Sequence, residues 1–170
     1  MDITAEMIKG LREKTGAGVM SCRSALMQAQ GDIEKAIQIL KEQNLVQVEK
    51  KSQRATTQGL IESYVHAGGR IGVLVEVNCE TDFVARTDVF KELVHNLAMQ
   101  VAALSPLYIS KEELPQGSDL DPQTVCLLDQ PFIRDTTRTV RDIVNEAIGK
   151  TGENIKIRRF VRYELGEEIK

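Results

Sequence analysis

The chain contains no tryptophan, and aromatic residues make up only 4% of its 170 positions. It has two histidines, His66 and His95, and an enzyme needs side chains that donate, accept or attack. So thin a stock argues against a catalytic centre. Cysteine is equally sparse. Cys22, Cys79 and Cys126 are odd in number and far apart, with no CxxC pair and no Cys/His cluster, which argues against zinc and thioredoxin-type chemistry. Their count suits a reducing compartment better than a secreted, disulfide-bonded protein. No stretch approaches ~20 apolar residues, and the opening "MDITAEMIKGL" lacks the basic start and apolar run of a signal peptide. A soluble, intracellular protein without a membrane partner is expected. The net charge of −3 supplies no global attraction for nucleic acid or an anionic surface.

What remains is 42% hydrophobic and 28% charged, ordinary for a globular chain long enough to bury a core without disulfides. Residues 1–43 read as three short helices. Met7, Ile8 and Leu11 share one helical face, and "TGAG" (Thr15 to Gly18) stops the first helix. Cys22, Ala25, Leu26 and Ala29 line the second, which ends at Gly31. Asp32 caps a third, with Ile33, Ala36, Ile37 and Leu40 at helical spacing. A unit this small is marginal alone and suits a binding module. Residues 44–58 are polar, carry Lys50, Lys51 and Arg54, and read as a linker that is partly helical at its start.

The period then changes from 3.6 to 2. Residues 60–66 and Ile71, Val73, Val75 and Val77 form the two arms of an antiparallel hairpin about Gly68-Gly69. A helix from about Asp88 to Leu104 follows, with Phe90, Leu93, Val94, Leu97, Val101 and Leu104 as its buried stripe. All four prolines fall in residues 105–136, an irregular connector. Val140, Ile143, Val144, Ala147 and Ile148 mark another helix, closed by Gly152, and Ile155, Ile157, Val161, Tyr163 and Leu165 alternate along a last strand. The predicted fold is α+β: a three-helix unit, then residues 59–166 as a three-stranded antiparallel sheet packed with two helices, and a tail at 167–170. Two hydrophobic, proline-free sheet edges invite a partner strand.

Few features could carry chemistry. His95 reads as a surface or half-buried residue, and "GGRIG" (Gly68 to Gly72) lies inside a hairpin, where no phosphate loop belongs. Cys79 ends a strand before a helix entry, where a thiol is either activated or simply packed. The last strand is read with Lys156, Arg158 and Arg162 on one face about Phe160, which either faces solvent or binds single-stranded nucleic acid. "EVNCETDFVAR" (Glu76 to Arg86) sets Asp82 and Phe83 at a strand-to-helix turn. In one reading Thr81 or Asp82 caps the helix and Phe83 packs inward as a staple. In the other, Phe83 points outward as an anchor for a partner's pocket.

"LREKTGAGVMSCRSAL" (Leu11 to Leu26) and "EVNCETDFVAR" resemble the two signatures of the elongation factor Ts family. The likeness continues through "YVHAGGRIGVLV", "LLDQPFI" and "GENIKIRRFVRYELGE", in the family's order. It implies a guanine nucleotide exchange factor for elongation factor Tu that is not itself an enzyme, needs no cofactor and works without direct nucleic-acid contact, either in the bacterial cytoplasm or as a mature organellar protein. It further implies that the helical unit is similar to a ubiquitin-associated domain and docks on the GTPase domain, with Arg12, Val19, Met20 and Arg23 on the docking side. The turn Thr81, Asp82, Phe83 and Val84 would press the Asp-Phe pair toward the GTPase's magnesium and phosphate region. His66, at the hairpin rim, is a further partner-binding candidate.

Three departures stand out. Ser21, Arg23 and Ser24 occupy positions where the family usually has an acidic residue and two lysines. Gln100 stands where a helix histidine is usual. "LPQGSDLDPQTVC" (Leu114 to Cys126) replaces a long helical segment. The core occurs once, and short relatives pair two chains, so a homodimer joined through strands is expected. Competing functions are RNA or ribosome binding through Lys50, Lys51, Arg54, Arg158 and Arg162, a thiol enzyme built on Cys79, and a paralogue that binds elongation factor Tu without driving exchange.

Overall fold

The amino-terminal helices begin and end on local chemistry. Thr4 caps α1 (Ala5–Thr15) through the Met7 amide, and Gly16 closes it in the left-handed conformation, φ 68°. Helix α2 (Val19–Gln28) stops earlier than Gly31 suggests, because Gln30 and Gly31 both turn left-handed, and the Gly31 amide donates to the Leu26 carbonyl. Asp32 caps α3 (Ile33–Lys51) by accepting from the Lys35 amide at 3.0 Å. Leu11, Cys22, Ala25, Leu26, Ala36 and Leu40 form this unit's own core. The computed structural model describes residues 3–168 and divides into two units, one through Gln53 and one from Arg54. Residues 1–2 and 169–170, at the start of the helical unit and in the tail, lie outside the described residues.

The stretch 44–58, expected as a linker partly helical at its start, is helical as far as Lys51. It contains no glycine or proline until Gly59, so nothing breaks the ladder. Leu45 and Val46 are exposed there, which leaves no apolar stripe to betray the helix.

In the second unit, β1 (Gln58–Val65) and β2 (Ile71–Cys79) form the hairpin, and β5 (Ile155–Glu164) pairs antiparallel with the far side of β2. The order β1-β2-β5 leaves the first and last strands as edges. Gly59 opens β1 at φ 150°, where a Cβ would lie 2.1 Å from the Val77 carbonyl oxygen, so only glycine fits. Val73, Val75, Val77 and Cys79 are buried on one sheet face beneath α5 (Asp88–Leu104), whose Phe90, Leu93, Val94, Leu97 and Val101 are buried as the spacing predicts. Leu104 does not join them. It is exposed at the last turn, where Ser105 takes a left-handed conformation.

The connector holds more order than its prolines suggest. It contains α6 (Pro122–Val125), a parallel bridge between Tyr108 and Cys126, and a small hairpin of β3 (Pro131–Phe132) with β4 (Asp135–Thr139). A reciprocal Thr139–Asp142 capping box then starts α7 (Val140–Thr151), which packs on α5 and ends at Gly152.

One expectation for β5 fails. The β2–β5 register shifts between Glu76 and Val77, which pair with Arg159 and Ile157 respectively, so Arg158 is an extra residue in the ladder. The bulge exchanges the faces. Ile155 and Ile157 point with Val77 and Cys79, and beyond the bulge Phe160 and Arg162 take their place opposite Val75 and Val73. Lys156 therefore shares no face with Arg162, and Val161, Tyr163 and Leu165 turn to the outer side, away from α5.

Candidate partner-binding site

Between β2 and α5 the chain makes a single helical turn, α4 (Asp82–Ala85). Thr81 is extended, φ −125° and ψ 156°, and its hydroxyl accepts from the Val84 amide at 3.4 Å. The capping role expected for Thr81 is therefore present. The inward staple expected for Phe83 is not, because the ring is 77% exposed. Ala85 is the buried residue of the turn, and at ~100° per residue a side chain two positions earlier faces the opposite way. Asp82 forms an exposed pair with Arg86 at 2.8 Å, which fixes its direction and adds little stability. The Thr87 hydroxyl then accepts from the Phe90 amide to start α5, so α4 lies between two threonine caps.

The turn rests on a second loop. Glu153, between Gly152 and β5, accepts from the Glu80 amide at 3.1 Å, the Thr81 amide at 3.0 Å and the Thr81 hydroxyl at 2.6 Å. Glu80 answers by accepting from the Asn154 amide at 2.7 Å and from Arg54 at 3.4 Å. The Asn154 side-chain amide donates to the Arg54 carbonyl at 2.9 Å. Sequence inspection does not find Glu153, which is remote in the chain and carries no local pattern.

Cys79 sits beneath this turn, fully buried, with its thiol donating to the Thr81 carbonyl at 3.1 Å. Burial, and then the negative charge of Glu153, push its pKa up to about 11. A thiol so suppressed at neutral pH does not act as a nucleophile, and the Cys79 enzyme reading falls. Among the described residues no group of three His, Cys, Asp or Glu side chains is placed to hold a metal ion, and no helix is long and apolar enough to cross a membrane.

His66 lies at the hairpin loop, its Nδ1 3.1 Å from the Tyr64 hydroxyl. The nine residues of β2 separate that loop from Thr81, a run of about 26 Å at ~3.3 Å per residue, so His66 does not join the Asp-Phe turn. In the helical unit Arg12, Val19, Met20 and Arg23 are all exposed, Met20 to 71%. Met20 and Arg23 share a face of α2 with exposed Met27, a residue that the sequence reading missed and that the i, i+3, i+7 spacing points to.

Two of the basic residues proposed to bind RNA, Arg54 and Arg162, are engaged within the second unit. Arg54 is committed to Glu80, and Arg162, largely buried on the inner face, donates to the Ala102 carbonyl and to Glu164. Gln100 is fully buried and is held by Gln130, the Pro131 carbonyl and the Ile133 amide. It presents nothing to a partner.

The family model described as "Elongation factor TS" matches residues 3–118. The chain is 50% identical over 197 residues to Elongation factor Ts of Thermoanaerobacter sp. (strain X514), an alignment covering 98% of this chain and 97% of that protein. It is 47% identical to the Moorella thermoacetica protein of that name, at the same coverage. It is also 47% identical over 196 residues to the one from Thermotoga neapolitana (strain ATCC 49049), with 99% and 100% covered. The aligned length exceeds the chain's 170 residues, so these relatives carry residues that this chain lacks. Both signatures, the exposed turn and near-complete alignment with these relatives lead to one assignment: the chain belongs to the elongation factor Ts family of translation elongation factors.

Proposed function

We propose that this protein is a cytoplasmic guanine nucleotide exchange factor that binds elongation factor Tu and promotes release of GDP, without making or breaking a covalent bond. The observation that carries the reading is Phe83, an aromatic ring held out into solvent on a single turn that Thr81 caps at its start and whose Val84 carbonyl accepts from the Thr87 hydroxyl. A GTPase with nanomolar affinity holds GDP by ~12 kcal/mol. A factor that favours the nucleotide-free conformation weakens that grip by pressing side chains into the space where phosphate and magnesium are organised. Coupling is reciprocal, so incoming nucleotide weakens the factor by the same ratio and displaces it. The exposed face of α2 (Met20, Arg23 and Met27) supplies a separate docking surface.

Release of fluorescent GDP from elongation factor Tu tests this. Substoichiometric protein should accelerate release through many turnovers. Binding without acceleration would leave a docking paralogue, and an absence of binding would end the reading.

The outer face of the sheet supports pairing of two chains. Sequence pattern directs attention to free strand edges, but the exposed apolar side chains Ile61, Val65, Leu74, Val161, Tyr163 and Leu165 lie on the face opposite α5. Two such faces stack at ~10 Å, as in a sandwich. We propose that a second copy covers this face. The wild type should sediment as a dimer at micromolar concentration and Leu74→Glu as a folded monomer. A monomeric wild type would rule the pairing out.

A further inference from the structure

The exposed Asp-Phe turn raises a physical question. A four-residue helical turn has almost no stability of its own, since nucleation fixes several residues in return for one hydrogen bond. Something outside α4 must hold Asp82 and Phe83 in position. We propose that Glu153 is the positioning residue for the Asp82-Phe83 turn, acting through the Thr81 cap and without touching the partner itself.

Three donors converge on its carboxylate: the Glu80 amide, the Thr81 amide and the Thr81 hydroxyl. The hydroxyl contact, at 2.6 Å, is the shortest of the three. It fixes the hydroxyl proton on Glu153 and so leaves an oxygen lone pair for the Val84 amide, the bond that starts α4. Glu153 thus determines both where the backbone enters the turn and which way the cap points. Only an ionised carboxylate accepts from three donors at once. A glutamine of the same shape would turn its NH₂ toward one of them.

The support is two-sided. Glu80 reaches the other way to accept from the Asn154 amide, so each loop's carboxylate holds the other loop's backbone. Glu153 is itself placed by Gly152, whose left-handed conformation (φ 76°) ends α7 and redirects the chain into β5. Two secondary-structure junctions distant in sequence become one rigid platform.

This inference rests on the reading that the turn acts on elongation factor Tu, and its test separates the two. Glu153→Gln and Glu153→Ala are compared with wild type for GDP release over a range of factor concentration. The maximal rate should fall about tenfold for Glu153→Ala and less for Glu153→Gln, as expected for loss of a charge-assisted hydrogen bond. The concentration giving half of that rate should change little, because docking through α2 is intact. In an Asp82→Ala/Phe83→Ala background, Glu153→Ala should cost nothing further, whereas a purely structural role would subtract the same amount in both backgrounds. Equal losses in both backgrounds, or an unchanged maximal rate, overturn the proposal. In the free protein the Val84 and Ala85 amides, which donate to the Thr81 hydroxyl and carbonyl, should exchange with solvent faster in both Glu153 variants. If wild type itself fails to accelerate release, the exchange reading falls and amide exchange alone decides the positioning claim. Unchanged protection overturns it, and faster exchange upholds it.

Discussion

Replacing Phe83 with alanine should slow the release of GDP from elongation factor Tu by about thirtyfold at a fixed, subsaturating concentration of the factor, while leaving the melting temperature nearly unchanged. The two halves of this expectation have one cause. Because the ring is 77% exposed, folding gains little from it, and a surface substitution of this kind changes stability by less than ~0.5 kcal/mol. An aromatic side chain that becomes buried only in a partner's pocket gives its full transfer free energy to the complex instead, about 2 kcal/mol, which is a factor of about thirty in rate. Stopped-flow fluorescence with labelled GDP measures the first half and thermal denaturation the second. A normal release rate would remove Phe83 from the mechanism. A normal rate restored only at high factor concentration would make the ring an anchor for docking. A lowered maximal rate would make it the element that disturbs the nucleotide site. Asp82 is available to a partner as well, since Arg86, with which it pairs, is itself exposed and can release it.

The sequence exposes some of this arrangement and hides the rest, for identifiable reasons. Alternation over Ile71–Val77 and the 3.6-residue stripe of α5 are strong because each element buries one face, and both form as expected except at Leu104. Thr81 reads as a cap on local pattern alone, and it is one. The direction of Phe83 was not decidable from that pattern, since an inward staple and an outward anchor require the same residues. Resemblance to the family pointed outward, and so does the ring. Three features left no usable trace. The last turns of α3 expose Leu45 and Val46, so the helix shows no apolar face. The bulge at Arg158 reverses side-chain direction midway along β5, so counting by twos placed Arg162 and Phe160 on the wrong side. Glu153 meets Thr81 only because the sheet folds its neighbours together, and no spacing rule spans that separation.

Gln100→Leu should produce the largest loss of stability among the changes considered. At the centre of α5 this amide is fully buried and hydrogen-bonds into the connector. Its NH₂ donates to Gln130 Oε1 at 3.2 Å and to the Pro131 carbonyl at 3.1 Å, and its oxygen accepts from the Ile133 amide at 2.9 Å. Gln130, equally buried, passes the connection on to the carbonyls of Leu104 and Thr124. Two amides thereby fasten the proline-rich segment to the sheet-covering helix. Leucine has nearly the right volume but would leave an acceptor on Gln130, the Pro131 carbonyl and the Ile133 amide without partners in a dry environment. Each such group costs ~1–3 kcal/mol, for a total of roughly 3 kcal/mol or more. For a unit of this size that lowers the melting temperature by about 12–20 °C. A shift below ~4 °C would mean that water or a rearranged connector satisfies these groups. Well below the transition, GDP release by Gln100→Leu should match wild type, because the amide holds the connector and takes no part in supporting the Thr81 turn. If release instead fell with the fold intact, the connector would have to act on the partner directly, and the segment between α5 and β3 would become a second working surface.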